Sequence, residues 1–273
     1  MQDVVSLPSA VESIEEIRGR AVNRRLLVSL DYDGTLTPIV ERPEKAVLSP
    51  EMRRTVSELA DLCTVAVITG RDLSEVKRLV GLGKIYYAGS HGFDISGPGD
   101  RHVLQMGTEF LPLLDHAQEA LHEMLGSIPG MLIERKRFSV TVHFRLVEKD
   151  RLREIEESVD LVLRNHQGLR KARGKKIFEL QPGVDWHKGK ALMWLMDALD
   201  MNRDNVLPLF IGDDATDEHV FEALLGCGVG IIVRDDAAAE GHLQSAAQYA
   251  IENQQQVEPF LEMIIETLRS APA

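Results

Sequence analysis

Apolar runs too short for a helix alternate with amphipathic stretches through the first third of the chain. Residues 26–30, 64–68 and 85–88 are such runs, bounded by turn residues and lacking a polar alternate face. That is the pattern of strands covered on both sides. Helical spacing begins after Ser49-Pro50 and again over 72–80, and strand and helix in alternation predict a parallel sheet. The texture changes at Ser96. A turn at Gly97-Pro98-Gly99-Asp100 leads to a helix over 109–125, an alternating strand over 137–145, a helix over 149–165 and strands over 169–172 and 176–180. This is the order of an antiparallel sheet with two helices on one face. The first pattern resumes near Val184 and closes with a helix over 257–268. The expected fold class is α/β: a Rossmann-like parallel-sheet core from residues 1–95 and 184–273, with an inserted α+β domain over 96–183.

Candidate chemistry collects where the core strands end, the edge at which open α/β sheets bind ligands. The first run ends in Asp31-Tyr32-Asp33-Gly34-Thr35. Two carboxylates this close do not ionise independently, so Asp31 is read as a nucleophile and Asp33 as a general acid and base. A lone Asp-x-Asp is equally an exposed strand end; the longer string is the more specific signal. The second run ends in Thr69-Gly70-Arg71, a hydroxyl, a flexible backbone and a cation suited to phosphoryl oxygens, with Asp72 as the cap of the next helix. Lys188 stands at a helix start, where the dipole disfavours a cation, and a nearby anion would account for it; Lys190 is the competing candidate. A strand over 206–212 runs into Asp213, Asp214, Asp217 and Glu218. Such a cluster repels itself unless a cation sits within it, and oxygen-only donors select a hard metal, with Mg²⁺ the best fit. Asp213, at the strand end, is the better ligand, while Asp217 and Glu218 also suit ordinary capping at a helix start.

The ordered set DYDGT, TGR, Lys-Gly at a helix start and GDDATDE resembles the haloacid dehalogenase superfamily of phosphotransferases. The strings YAGSHG from Tyr87, FSVTVHFR from Phe138, Phe178-Glu179-Leu180 and Gly212 to Glu218 are similar to the trehalose-6-phosphate phosphatases. The likeness spans nearly the whole chain. It implies Mg²⁺-dependent hydrolysis of trehalose 6-phosphate through an aspartyl phosphate. Asp31 is the implied nucleophile and metal ligand, and Asp33 the acid/base with its carbonyl on the metal. Thr69 and Lys188 would bind phosphate, and Asp213 would be the further ligand, supported by Asp214 and Asp217. Implied substrate contacts are Gly34, Gly70, Arg71, Ser90, His91 and Gly92 in the core. In the insert, which the resemblance makes a specificity cap, they are Lys136, Arg137, His143, Arg145 and Glu179. Strand alternation would put Arg137, Ser139, Thr141, His143 and Arg145 on one face. One departure stands out: Gln181 precedes Pro182 where the family carries Arg or Lys, which leaves a sugar or phosphate contact open.

Composition narrows the partners. The 273 residues suffice for two modest domains, and a net charge of −12 argues against nucleic acid and anionic membranes. A small anionic sugar phosphate then needs local cations, which Arg71, Lys136, Arg137, Arg145 and Lys188 supply. Cys63 and Cys227, the two cysteines, read as reduced, buried thiols. No run reaches transmembrane length, and the residues after Met1 lack a signal-peptide pattern. A cytoplasmic location is expected, and a monomer is the default. Competing readings are a phosphatase for another ester, such as a sucrose or glucosylglycerate phosphate, a phosphoacceptor switch, and a sugar sensor without activity.

Overall fold

The computed structural model describes residues 1–40, 43–174, 176–201, 203–234 and 244–270. They form two compact units, 1–104 with 186–273, and 105–185. The first unit begins with β1 (Gln2–Asp3), α1 (Ile14–Ala21), β2 (Arg25–Leu30), α2 (Pro50–Leu62), β3 (Thr64–Ile68), α3 (Leu73–Val80), β4 (Tyr86–Gly89), β5 (Asp94–Ser96) and β6 (His102–Gln105). The second contains α4 (Leu111–Leu125), β7 (Leu132–Lys136), β8 (Ser139–His143), α5 (Leu152–Asn165), β9 (Leu169–Gly174) and β10 (Ile177–Pro182). The first then continues with α6 (Lys188–Ala198), β11 (Val206–Gly212), α7 (Glu218–Ala223), β12 (Val229–Val233), β13 (Gln244–Ser245), β14 (Tyr249–Ile251) and α8 (Val257–Ser270).

The core sheet runs β14-β12-β11-β2-β3-β4-β5-β6. Its strands are parallel from β14 to β4, and β5 turns back antiparallel against β4. Successive strands after β2 add on one side, while β11, β12 and β14 build on the other, so the direction of winding reverses at β2. Ligands bind at such a switch point. The alternation of apolar runs gave the class correctly because Val28, Leu30, Val65, Val67, Leu209 and Ile211 are all buried on one face against α2 and α8 residues such as Leu59, Phe260 and Ile264. Pro208 is tolerated inside β11 because pairing with β12 begins only at Leu209.

The boundary between the units falls at Leu104/Gln105 and Asp185/Trp186, later than residues 95 and 183. The reason is that β5 and β6 extend the core sheet past the turn at residues 97–100 instead of starting the insert. Asp72 occupies the N-cap position of α3 but makes no capping bond; its carboxylate accepts from Ser90 Oγ at 2.8 Å. Cys63 and Cys227 are free and half-buried rather than fully buried, since Cys63 closes α2 and Cys227 lies in a turn beyond α7.

In the second unit the sheet order is β7-β8-β10-β9, antiparallel throughout. Ile133, Val140, Val142, Phe178 and Leu180 pack with Leu114 and Leu121 of α4 and Ile155 and Val159 of α5. The expected single strand over 137–145 is instead the hairpin of β7 and β8, with Arg137 and Phe138 in its turn. Arg137 and Arg145 are therefore exposed outside the strand, and only Ser139, Thr141 and His143 share its polar face.

Phe210 of β11 is fully buried and meets Phe221 of α7 edge-on, with ring centroids 5.7 Å apart. Phe210→Ala is expected to lower unfolding stability by about 3–5 kcal/mol in a urea titration. A change below about 1 kcal/mol would contradict this packing.

Candidate active site

Strand β2 ends by delivering Asp31 to the switch point. Its amide still donates to Ile211 O of β11 at 2.9 Å, so the backbone is held by the sheet. One carboxylate oxygen, Oδ1, accepts from the Tyr32 amide at 2.7 Å, and the other, Oδ2, pairs with Lys188 Nζ at 2.9 Å. The same ammonium reaches Asp217 Oδ1 at 2.8 Å. Lys188, at the first turn of α6, is 2% exposed. Neither a solvated lysine nor Lys190 fits this position; it is Lys188 that meets the carboxylate at the end of β2. Burial alone would pull the Lys188 pKa down, but Asp217 and Asp31 outweigh it and raise the value well above normal.

Asp217 does not cap α7, the role its position suggested. Its Oδ2 turns back to accept from the amides of Asp213 at 2.9 Å and Asp214 at 3.1 Å, which fixes the turn that leaves β11. Asp213 accepts from Thr35 Oγ1 at 3.2 Å. Two glycines make these approaches possible. A Cβ on Gly34, which has φ +83°, would fall 2.1 Å from Asp213 Oδ2, and one on Gly212 would fall 2.4 Å from Asp217 Oδ2. Gly34 thus makes room for a carboxylate.

Asp31, Asp213 and Asp217 each present an oxygen within 4.8 Å of the others. Burial, opposed by Lys188 and reinforced by Asp214 and Asp213, pushes Asp31 up to about 7. Burial together with Asp217 and Asp214 pushes Asp213 up to about 8. Three carboxylates around one ammonium lack positive charge, and their donors are all oxygen. The cluster therefore suits a hard metal ion. Asp214 is engaged differently: it accepts from Thr216 N at 2.8 Å and Thr216 Oγ1 at 2.7 Å. Burial opposes its ionisation, but Lys188 and Thr216 hold its pKa below normal.

The Asp33 carboxylate has a partner of its own. Arg71 grips it with two 2.7 Å bonds, from Nε to Oδ2 and from an Nη to Oδ1, and pairs with Glu75 at 2.5 Å. The Arg71 guanidinium also lies over the Tyr32 ring, 5.2 Å from its centroid, and the Arg71 amide donates to Thr69 Oγ1 at 3.3 Å. Arg71 is thereby committed to the protein's own carboxylates. The 90–92 loop follows β4 with three consecutive positive φ angles at Ser90, His91 and Gly92. It is tied back by Ser90 N to Arg71 O at 2.7 Å and His91 N to Thr69 O at 2.8 Å. The His91 ring lies against Gly70.

The remaining expected contacts belong to the second unit. His143 Nε2 is 2.9 Å from Glu134 Oε2, and Glu179 accepts from Ser139 Oγ at 2.6 Å. Lys136 pairs with Ser139 across the hairpin. Sequence reasoning gave no role to Glu75 or Thr35. Glu75 stands four residues after Arg71, a spacing that pairs side chains on a helix.

Comparison with known proteins bears on all of this. The family model described as trehalose-phosphatase matches residues 29–262. Trehalose-phosphate phosphatase B of Arabidopsis thaliana is 38% identical over 97% of this chain and 73% of its own length. The trehalose-phosphate phosphatase of Mycobacterium bovis BCG is 39% identical over 97% of this chain and 68% of its own. Among solved structures, a trehalose-6-phosphate phosphatase related protein superposes with a TM-score of 0.75 at 27% identity, over 88% of this chain and 97% of that one. The C-terminal domain of the C. albicans trehalose-6-phosphate phosphatase shares the fold, with a TM-score of 0.80 at 20% identity over 95% of this chain and 99% of that one. A family match across most of the sequence, and relatives above a third identical along nearly all of it, identify this chain as a member of the trehalose-phosphatase family.

Proposed function

We propose that the protein hydrolyses trehalose 6-phosphate to trehalose and inorganic phosphate, with Asp31 as nucleophile. The observation that carries the mechanism is the buried Asp31 carboxylate, 2.9 Å from Lys188 and grouped with Asp213 and Asp217. Family membership supports the substrate. In the first step an Asp31 oxygen forms a bond to phosphorus, the bond from phosphorus to the sugar oxygen breaks, and Asp33 donates its proton to that oxygen. In the second, Asp33 takes a proton from water, the water oxygen bonds phosphorus, and Asp31 leaves with its electron pair. Asp33 keeps one orientation for both transfers through its two-point contact with Arg71. Lys188 offsets negative charge beside the reacting carboxylate, and Thr69 with the Gly70 backbone is assigned to the phosphoryl oxygens.

We assign Mg²⁺ to the acidic cluster, held by Asp31, Asp213 and the main-chain carbonyl of Asp33, with Asp217 and Asp214 bracing the turn around it. When bound, it supplies positive charge for the phosphoryl oxygens. The unit from 105 to 185 is assigned to sugar selection, with His143 and Glu179 as contacts and with Lys136, Arg137 and Arg145 as nearby cations. Two free cysteines favour a reducing compartment such as the cytoplasm. No described helix is long and apolar enough to cross a membrane.

Phosphate release with Mg²⁺ from trehalose 6-phosphate, sucrose 6-phosphate and glucose 6-phosphate, at equal concentration, tests the substrate. The expected result is a strong preference for trehalose 6-phosphate that EDTA abolishes. Preference for another ester would discard the substrate, and undiminished release in EDTA would discard the metal. A second prediction follows from Asp31 and Asp213, raised to about 7 and about 8 without a metal. A cation must displace protons held below those values, and no protons remain to displace above them. The rise in Tm on adding Mg²⁺ to stripped protein should therefore be small at pH 5.5 and large at pH 8.5. An equal rise at both would mean the ion binds elsewhere.

A further inference from the structure

A second place on the first unit gathers positive charge, and it shares no residue with the acidic edge. A cavity of about 590 Å³ lies where the first two turns of α2 meet residues 47–48 and the turn after α3. Val47, Leu48, Pro50 and Leu82 form its apolar walls, and its polar groups are Arg53, Arg54 and Ser57. Val47, Pro50 and Arg54 are exposed, so the cavity is open at the surface. Among the described residues that line it, none is acidic. Its size is ordinary for a small-molecule site, in which apolar walls cover a ligand's body and a few polar groups fix its orientation.

The two arginines are engaged differently. Arg53 spends one Nη on Leu79 O at 3.1 Å, near the end of α3. Its Nε is buried and has no hydrogen-bond partner among the described residues, and a buried donor left unbonded is costly. Arg54 Nε stands 4.0 Å from Glu58, with both side chains well exposed, and a solvated pair at that distance is worth little. Holding the end of α3 needs one cation, whereas the cavity has two. Pro50 opens α2, whose N-terminal end adds partial positive charge on the same side. The complement of this lining is an anion. A bare inorganic anion would leave Leu48 and Leu82 uncovered, so the fitting ligand also carries apolar surface.

We propose that this cavity binds an amphipathic organic anion, an acidic group carried on an apolar body. Arg53, Arg54 and Ser57 hold the acidic group, and Val47, Leu48 and Leu82 cover the body. The site stands apart from the phosphatase reading and does not depend on it.

The dye 8-anilinonaphthalene-1-sulfonate is such an anion, and it brightens when its rings leave water. Titrated into the full chain, it should fill one saturable site. N-phenyl-1-naphthylamine, with the same rings and no sulfonate, should bind about ten-fold more weakly or worse, which is the loss of one charge-assisted contact. Arg53→Gln should weaken the dye by a similar factor, and Arg54→Glu should act in the same direction by less. Val47→Trp, at an exposed position, should block entry. If Arg53→Gln fails to fold because Leu79 O loses its donor, Arg54→Glu and Val47→Trp decide the matter. Trehalose 6-phosphate, added with EDTA, should not displace the dye. Displacement by that ester, neutral dye binding as tightly as the sulfonate, affinity unchanged in the folded variants, or no saturable binding at all would each overturn the proposal. Loss of the phosphatase reading would leave the dye's binding and its response to these variants as they are.

Discussion

A buried ammonium governs the geometry of the whole catalytic edge. Lys188 sits 2% exposed between Asp31 and Asp217. An unpaired ion there would cost several kcal/mol in lost hydration, and removing one partner of such a pair typically costs about 3–5 kcal/mol. The ends of β2 and β11 and the start of α6 must therefore arrive together. Asp217 completes the requirement by spending its second oxygen on the amides of residues 213 and 214. The turn that aims Asp213 is set by the same carboxylate that neutralises the lysine.

Charge at this edge is balanced in two separate pairings. Lys188 faces an excess of carboxylates, and Asp31, Asp213 and Asp217 lie close enough together to hold a metal ion. Arg71, by contrast, is matched by Asp33 and Glu75 and stacked on Tyr32. The two aspartates of one short motif thus occupy different electrostatic settings, one buried and one held at the rim, which suits the nucleophile and proton-carrier roles proposed for them. Backbone strain gathers nearby. Ser90 and His91 both hold positive φ, and each such residue costs on the order of 1–3 kcal/mol, a pattern concentrated at functional sites.

Much of the fold was legible because buried parallel strands are written as uninterrupted apolar runs. Residues 64–68 marked a strand at its true limits, and Ser49-Pro50 marked a helix start that Ser49 does cap. The insert was less legible. A hairpin turn at Arg137-Phe138 contains no Gly, Asn or Asp, so the pattern conceals β7 and suggests for Arg137 and Arg145 a strand face they do not share. Motif residues at strand ends could be named from the chain because the sheet edge collects them. The partners of those residues could not. Nothing local to Asp33 indicates that Arg71 will grip it, and nothing local to Asp217 indicates that Lys188, 29 positions earlier, will reach it. Pairing between distant segments is a property of the packed core.

The most direct test of the account is to look for phosphate on Asp31. Enzyme mixed with ³²P-labelled trehalose 6-phosphate and Mg²⁺, and quenched in acid within one turnover, should carry label in the peptide containing Asp31. The label should be released by hydroxylamine and absent from Asp31→Asn. Phosphate release with no protein-bound label at any time, or label on another residue, would contradict the assignment of Asp31 as nucleophile.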